Sequence, residues 1–398
     1  MRTVRRPQRG TLRDVRRGNR SLLLRTLYFG HELSRHDLSR LTGLSPATVS
    51  NVVGDLIADG IVVEAGAVDS DGGRPRTLLR VQESYGYVVG VDVGETRVRL
   101  ELFDLSMTEK AKAEYALEPR RHEPSVVVDH ILTGLRSVLA DAGVDESQVL
   151  GIGIGVPGIV EQRPELLIHA RAFGWNGVPL GDRLRAGTAI PIFADNGAQT
   201  MGQAELWFGA GVGARHVVMT LIGTGVGASI ITDGATYRGV SSSAGEWGHT
   251  TIAVNGRACR CGGVGCLEAY VGAEAILASH GAGHLPGGDE ESALAAMLTD
   301  PAARPVLDEA VAFLGAGLGN LINLFNPERI IVGGWAGLLL GRALLPEIRA
   351  AAARHALAQP MAQVSIELGR LGPEAVALGA ATLVVEDFLL RSGTPRHA

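Results

Sequence analysis

The chain has 398 residues, of which 46% are hydrophobic and 20% are charged, and its formal net charge is −5. This composition is typical of a folded globular protein and excludes a disordered chain, and the length predicts two or three domains. The apolar runs are broken by glycine and are too short to cross a bilayer, and we see no secretory signal.

Positive charge is concentrated at the start of the chain. Residues 1–80 contain 14 arginines and 8 acidic residues, a net charge of +6, so the rest of the chain carries −11. A basic segment on an acidic body favours contact with a polyanion, although a solvated arginine-rich tail would give the same count. We predict that residues 1–18 form a basic tail, with disorder as an open alternative.

Residues 19–82 have the pattern of a winged helix-turn-helix domain. A leucine-rich helix is predicted over Asn19–Phe29, followed by a short helix over Arg35–Leu41 with Ser34 as its N-cap. Gly43 permits the tight corner after this helix, and Ser45 caps the next one. The N-terminal residues of the helix that Ser45 caps would enter the major groove of DNA.

The predicted wing follows as two strands, Ile61–Glu64 and Arg76–Val81, joined by a glycine-rich turn over residues 66–73. Arginines at the base of the wing would reach phosphates or a minor groove. Ordinary three-helix domains share parts of this pattern, but the wing and the basic charge together favour DNA binding. The candidate DNA contacts are Ser45, Thr48, Ser50, Asn51, Arg74 and Arg76.

Beyond residue 84 the pattern changes to apolar strands that turn at glycine. Two such hairpins are predicted, one with its turn near Gly94 and one with its turn at Gly223–Gly227, and together they favour a duplicated α/β fold with a cleft between its halves. Glycine lets a backbone approach a phosphate and aspartate can hold magnesium, although glycine loops also turn strands for structural reasons alone. The candidate phosphate-binding residues are Asp92, Gly94, Thr96, Gly223, Thr224 and Gly225.

All three cysteines fall within eight positions, as Cys259, Cys261 and Cys266, and His249 stands ten residues before the first of them. Three thiols and one imidazole make a complete tetrahedral shell for a structural zinc ion, and scattered core cysteines would not cluster in this way. Clustered thiols without a disulfide framework also favour a reducing compartment, so we expect a cytoplasmic protein.

Several of these stretches resemble the ROK family of repressors and sugar kinases. They are Asp92–Thr96, Gly151–Gly158, Gly223–Gly227, Gly245–His249 and the segment from Cys259 to Glu268. The resemblance covers residues 84 to about 385 and implies an actin-like ATPase, or ribonuclease-H-like, duplication with a sugar in the cleft. It implies a first subdomain over 84–194, completed by a C-terminal helix near 373–390, and a second subdomain with the zinc site over 195–372.

The resemblance also implies roles for individual residues. His249, Cys259, Cys261 and Cys266 match the zinc site of the family. Asp195 falls where sugar kinases of the family place the catalytic base, and Glu246, His249 and Glu268 fall where sugar hydroxyls are bound. Carboxylates accept hydrogen bonds from hydroxyls, and a metal-bound histidine keeps its second ring nitrogen free for a ligand.

Three departures from the kinase pattern separate two functions. Glu95 replaces a glycine at the phosphate turn, where like-charge repulsion at ~4 Å would reach about 4 kcal/mol. Ala194 replaces an asparagine before the predicted base, and Trp335 stands where small residues are usual. We therefore favour a regulator that has lost efficient phosphoryl transfer and has kept vestigial phosphate loops.

The resulting hypothesis is a DNA-binding repressor of carbohydrate genes, gated by a sugar or sugar phosphate and acting as a homodimer or homotetramer on a palindromic operator. The alternative is a bifunctional hexose kinase that uses ATP and magnesium, with Asp195 as its base and a DNA-binding head. A scaffold with an empty cleft, regulated by another protein, is a third reading.

Overall fold

The structure is a computed structural model that describes residues 11–70, 73–118, 122–162, 165–281 and 290–394. Residues 11–82 form a small N-terminal unit, called the head below. Its elements are α1 (Leu12–Gly30), β1 (Leu33–Ser34), α2 (Arg35–Thr42), α3 (Pro46–Ala58), β2 (Val62–Ser70) and β3 (Gly73–Val81), with the strands in the order β1-β3-β2.

The local chemistry of the head sets its helix boundaries. The Ser34 hydroxyl accepts from the amide of Asp37 at the start of α2, and the Ser45 hydroxyl accepts from the amide of Thr48 at the start of α3. Gly43 has φ +71° at the corner between these helices, as predicted. Two predictions are corrected. Helix α1 begins at Leu12, so residues 12–18 of the predicted tail are helical, whereas residues 1–10 lie outside the described part. The predicted turn over 66–73 is largely strand, because β2 continues to Ser70 through two bulges.

The first half of the body, as residues 84–394 are called below, contains a five-stranded sheet in the order β6-β5-β4-β7-β10. Strands β4, β7 and β10 run parallel, while β5 is antiparallel to both of its neighbours. The elements are β4 (Tyr87–Val93), β5 (Arg97–Asp104), β6 (Glu109–Ala116), α4 (Pro124–Ala142), β7 (Val149–Val156), β8 (Ile159–Glu161), β9 (Leu167–His169), α5 (Leu180–Arg185), β10 (Ile192–Asn196) and α6 (Gly197–Phe208).

The second half repeats this arrangement in the order β13-β12-β11-β14-β15, again with a hairpin followed by parallel strands. This repetition confirms the predicted duplication. The strands are β11 (Val217–Ile222), β12 (Val226–Thr232), β13 (Ala235–Thr236), β14 (Arg329–Gly333) and β15 (Ser365–Leu368). The helices are α7 (Glu268–Val271), α8 (Ala273–Ser279), α9 (Glu290–Met297), α10 (Arg304–Phe325), α11 (Trp335–His355), α12 (Ala358–Gln363) and α13 (Ala375–Leu390).

Helix α13 returns to the first half and packs on β4, β7 and α6 at backbone distance. Glycines make this approach possible. A Cβ atom added to Gly153 would lie 1.8 Å from the carbonyl oxygen of Ala380, and one added to Gly379 would lie 1.9 Å from that of Thr200. Because Cβ atoms do not approach oxygens so closely, side chains at these positions would force α13 away from the sheet and from α6.

One described helix, Pro301–Phe325, is long and apolar enough to cross a membrane by length and composition. Just over half, 56%, of the most apolar 18-residue stretch of this helix is buried inside the fold, where α10 packs along α11. A helix that covers the core of a folded domain explains this composition, so it gives no evidence of a membrane span.

Candidate functional site

A cavity of about 1090 Å³ lies between the two halves of the body. The first half contributes the turn between β4 and β5, the segment after β7 and the start of α6. The second half contributes the β11–β12 loop, the start of α11 and a hairpin over residues 258–266, called the metal hairpin below. The residues that precede and begin α13 (Gly372, Pro373 and Val376) complete the wall. The two glycine turns predicted from sequence therefore do face one cleft.

The predicted metal ligands converge. The ligand atoms of His249, Cys259, Cys261 and Cys266 all lie within 4.8 Å of one another. The Nδ1 atom of His249 is 3.8 Å from the sulfur of Cys259, and the sulfurs of Cys261 and Cys266 are 3.7 Å apart. Zinc–sulfur bonds of about 2.3 Å in a tetrahedron require sulfur–sulfur distances of about 3.8 Å. The donor set and its spacing therefore fit a tetrahedral metal ion.

The cluster adjoins the candidate sugar ligands at the cavity wall. With Nδ1 directed at the cysteines, the Nε2 atom of His249 lies 4.0 Å from a carboxylate oxygen of Glu246. Burial raises the pKa of Glu246 above its usual value. Glu268 is 6% exposed and accepts from the amide of Val226 at 2.9 Å. Glu246, His249 and Glu268 thus line one region of the cavity beside the metal hairpin.

An arginine that the sequence analysis did not identify links the two halves. Arg260, between two of the cysteines, donates to both carboxylate oxygens of Glu95 at 2.7 and 2.9 Å and to Glu268 at 2.9 Å. Burial opposes ionisation of Glu268, but Arg260 together with the Val226 amide more than offsets it, so the pKa of Glu268 lies below its usual value. A second arginine, Arg171 of the first half, donates to the carbonyl of Cys261. We call Glu95, Arg260 and Glu268 the cross-cleft clasp.

Asp195 does not fit the predicted catalytic base. It lies near the end of β10, but its side chain is 1% exposed and is absent from the cavity wall. One carboxylate oxygen accepts from Arg238 at 2.9 Å, and the other accepts from the amide of Asn196. The cavity wall is instead formed here by Asn196 and Gly197. The prediction that Asp195 faces a sugar is therefore corrected, because neighbouring residues of a strand point to opposite sides.

Ala194, the second departure from the kinase pattern, is 3% exposed within β10. Its position does not reach the cavity, whereas the side chain of Asn196 caps α6 and donates to the carbonyl of Gly158 at 2.7 Å. The third departure, Trp335, does line the cavity, with its ring nitrogen 3.1 Å from the position that a Cβ of Gly223 would occupy.

The candidate phosphate residues surround the clasp. Asp92, Gly94 and Thr96 line the cavity from the β4–β5 hairpin, and Gly223, Thr224 and Gly225 line it from the β11–β12 loop. Burial raises the pKa of Asp92 to about 6, against the opposing effect of Arg99 and Arg97. The Thr224 hydroxyl donates to Glu290 of α9 at 2.8 Å, a contact that no sequence signal indicated.

The candidate DNA contacts lie on the head, away from the cavity. Ser50 and Asn51 are exposed on α3, whereas Ser45 and Thr48 contact each other through their hydroxyls at 2.9 Å. Arg76 is exposed on β3, with a guanidinium nitrogen 3.5 Å from His36 of α2. The side chain of Arg74 lies outside the described part of the structure.

Comparisons with known proteins agree with this arrangement. The sequence model of the ROK family matches residues 88–387. The chain is 31% identical over 386 residues to the xylose repressor of Caldicellulosiruptor bescii, which covers 93% of this chain and 96% of that protein. It is also 31% identical over 314 residues to a glucokinase of Halalkalibacterium halodurans, which covers 75% of this chain and 94% of that protein.

Among solved structures, a ROK family transcriptional regulator described as a homolog of the Escherichia coli Mlc protein superposes with a TM-score of 0.77. The match covers 95% of this chain and 98% of that chain at 24% identity. At this identity the likeness establishes a common fold that includes the head.

Proposed function

Because this chain belongs to the ROK family, we propose that it is a DNA-binding transcriptional repressor of carbohydrate genes, controlled by a sugar bound in the cavity. The match to a xylose repressor over 93% of the chain takes in the head, whereas the match to a glucokinase covers only 75%. A head with an exposed recognition helix and an exposed wing arginine supports operator DNA as the partner.

The observation that carries this proposal is a pair of helices that connect the cavity to the head. Helices α6 and α13 pack against each other, and the start of each lines the cavity. At the other end of α6, Trp207 packs edge-to-face on Phe29 of α1, with ring centroids 4.9 Å apart. A change at the cavity wall therefore has two continuous helices through which to reach the head.

The far end of α13 is bound to the head by hydrogen bonds as well as by apolar contacts. Arg20 donates to the carbonyl of Ser392 at 2.7 Å, and Ser21 donates to that of Leu389 at 2.8 Å. Phe388 and Leu389 also share one hydrophobic cluster with the core of the head, which includes Leu23, Leu24, Leu27, Leu38 and Leu56. Head and body thus share a core, and movement of α13 would move the surface on which α1 rests.

The chemistry of the cavity wall supports a sugar as the ligand. Glu246, His249 and Glu268 offer carboxylate and imidazole groups that exchange hydrogen bonds with hydroxyls. The named relatives, a xylose repressor and a glucokinase, are both proteins of sugar metabolism. Asp195 is not proposed as a sugar contact, because its carboxylate is held by Arg238 outside the cavity wall.

We assign a structural zinc ion to His249, Cys259, Cys261 and Cys266, whose ligand atoms fit a tetrahedral ion. When bound, the ion would cross-link the metal hairpin to the segment that carries His249. The hairpin in turn holds Arg260 at the cleft, and the free ring nitrogen of His249 stays directed toward Glu246. The role of the ion is therefore to position ligand-binding groups.

On DNA, a homodimer or homotetramer would present α3 of two heads to successive major grooves of a palindromic operator. A sugar that binds two arrangements of α6 and α13 with different affinity would shift their populations and change the spacing of the heads. We expect this to occur in the cytoplasm, where free thiols remain reduced.

The test is fluorescence anisotropy with the DNA upstream of the protein's own gene, titrated with protein alone and with protein plus xylose, glucose or N-acetylglucosamine at millimolar concentration. The proposal expects specific binding that one of these sugars changes at least about fivefold, the lower end of typical allosteric coupling. Specific DNA binding that none of these sugars alters would refute sugar control, and an absence of specific binding would refute the repressor.

The second candidate is an ATP-dependent hexose kinase, supported by the glucokinase relative and by the two glycine turns at the cavity. The buried ion pair of Asp195 with Arg238 weighs against it, because a general base must reach the hydroxyl proton that it removes. A coupled assay for ADP with magnesium, ATP and glucose should show no turnover above that of a heat-treated sample. Sugar-dependent turnover would favour the kinase.

A further inference from the structure

The cross-cleft clasp joins two parts of the chain that lie 165 residues apart. Glu95 stands on the β4–β5 turn of the first half, and Arg260 stands on the metal hairpin of the second. The side chains of Arg260, Glu95 and Glu268 are only 31%, 18% and 7% exposed. Bidentate pairing in such a shielded place is the strong form of an arginine–carboxylate contact.

The clasp lies directly on the glycine loop between β11 and β12. A Cβ atom added to Gly225 would lie 2.7 Å from a terminal nitrogen of Arg260 and 3.5 Å from a carboxylate oxygen of Glu95. A glycine turn beside a guanidinium is the arrangement that proteins use to bind phosphate groups. The carboxylate of Glu95 therefore occupies the place that an anionic ligand would take against Arg260.

Charge balance does not require this second carboxylate. Glu268 alone neutralises Arg260, since it accepts from the Nε atom at 2.9 Å, so the three-residue clasp carries a net charge of −1. Two neighbouring hydrogen-bond donors also contact acidic side chains of the protein. Thr224 donates to Glu290 at 2.8 Å, and Arg97 lies 3.7 Å from Glu291. Arg260, Thr224 and Arg97, which lie at or beside the two glycine turns, are thus each in contact with a carboxylate of the chain itself.

We propose that Glu95 is a built-in occupant of an anion site formed by Arg260 and the loop Gly223–Gly227, and that it excludes phosphate and polyphosphate groups from the cavity. The side chain supplies the negative charge that such a ligand would supply, and its own charge repels an incoming anion. The wild-type cavity therefore accepts uncharged, hydroxyl-rich ligands. This last consequence rests on the proposed function, whereas the anion site itself does not.

The site can be opened by removing Glu95, because other contacts still hold the metal hairpin. Arg260 keeps its bonds to Glu268, and Arg171 keeps its bond to the carbonyl of Cys261. Isothermal titration with pyrophosphate and with inorganic phosphate would compare the wild-type protein with Glu95→Ala and with Glu95→Gln. A matched control is Glu309→Ala, whose two carboxylate oxygens accept from one guanidinium nitrogen of Arg257, the residue just before the metal hairpin.

The expected result is pyrophosphate binding by Glu95→Ala that is at least about tenfold tighter than in the wild-type protein or in Glu309→Ala, equivalent to about 1.4 kcal/mol. The double variant Glu95→Ala/Arg260→Ala should lose this gain. Pyrophosphate affinity in both Glu95 variants within about twofold of wild type would overturn the proposal. Equal binding by the double variant would overturn the assignment of the site to Arg260.

The same samples separate this proposal from the proposed function. Anisotropy with the upstream DNA, with and without sugar, reports on the repressor and does not involve pyrophosphate. If sugar alters DNA affinity but Glu95→Ala gains no anion binding, only the anion site is wrong. If Glu95→Ala gains pyrophosphate binding but no sugar alters specific DNA binding, the anion site stands and sugar control fails.

Discussion

Trp207 allows a direct test of the route between the cavity and the head. It lies near the C-terminal end of α6, where its ring packs edge-to-face on Phe29 at 4.9 Å and on Tyr28 at 6.5 Å between centroids. Edge-to-face aromatic pairs contribute about 0.5–1.5 kcal/mol each, so the two contacts together contribute about 1–3 kcal/mol. Typical coupling free energies between allosteric sites fall in the same range, about 1–3 kcal/mol.

The variant Trp207→Ala should therefore keep DNA binding but lose most of its response to sugar. The ring contacts of Trp207 to the head are with Tyr28 and Phe29 of α1, whereas Ser50 and Asn51 lie on the exposed face of α3. Affinity for DNA without sugar should therefore change by no more than about threefold. A loss of only 1 kcal/mol of coupling would reduce the sugar-induced change in affinity about fivefold. The assay is anisotropy with the upstream DNA at fixed salt, with and without the effective sugar.

The matched control is Tyr115→Ala, which removes a stacked contact with His130 at 5.2 Å. That pair joins β6 to α4, which pack against β5 and α5 of the first half. The control should respond to sugar as the wild-type protein does. If Trp207→Ala, shown by circular dichroism to be folded, retains the full sugar response, the signal does not pass through this aromatic contact and the reasoning is wrong.

Three further predictions concern the metal ion, a buried carboxyl and the DNA surface. Elemental analysis should find about one zinc ion per chain. The variant Cys261→Ser should lose the ion and should unfold at a lower temperature, whereas metal-free wild-type protein of unchanged stability would contradict the assignment. Burial raises the pKa of Glu101 to about 8, and one of its oxygens has no hydrogen-bond partner among the described residues. Between about pH 4.5 and 8 the folded state therefore holds a proton that the unfolded state releases. As the pH rises through this range, the free energy of unfolding of the protein should fall by up to about 1.4 kcal/mol per pH unit, and urea titrations of Glu101→Gln should show a weaker fall. Finally, Asn51→Ala should weaken specific DNA binding by about 1–3 kcal/mol, whereas Arg76→Ala should weaken binding to all DNA and reduce the salt slope by about one. If Asn51→Ala weakens binding to operator and random DNA equally, Asn51 does not contact a base.

The parts of the fold that depend on local chemistry could be predicted from the sequence. Hydroxyl caps at Ser34 and Ser45 and the left-handed corner at Gly43 are decided within a few residues, and the structure has them where expected. The cluster of candidate metal ligands could also be predicted, because three of its four residues lie on one short hairpin and only His249 comes from outside it. Helix α1 begins at Leu12, seven residues before the predicted start, because the leucine pattern on which the prediction rests begins only at Leu22, although Thr11 caps the helix.

The direction of a side chain at the end of a strand could not be predicted in the same way. Asp195 and Asn196 are neighbours on β10, and strand geometry directs them to opposite sides of the sheet. Assigning the catalytic role to one rather than the other requires knowing which side faces the cleft, and an error of one position exchanges a cavity residue for a buried one. The decisive contact, Arg238 on the carboxylate of Asp195, comes from 43 residues further along the chain.

Glu95 shows how a distant partner reverses the meaning of a single residue. Considered beside a phosphate turn alone, its carboxylate implies a repulsion that damages the site. In the fold, Arg260 pairs with it at 2.7 Å, so the acidic side chain contributes attraction between the two halves of the body. A mere loss of kinase chemistry would not require any particular partner for Glu95. Its carboxylate is instead paired at both oxygens with Arg260, which lies between two cysteines in the sequence. Glu95 is therefore better understood as the partner of Arg260 in an anion site than as mere damage to a nucleotide site. Pyrophosphate titration of Glu95→Ala beside Glu95→Ala/Arg260→Ala distinguishes these two descriptions, because only the first requires Arg260 for the gain in affinity.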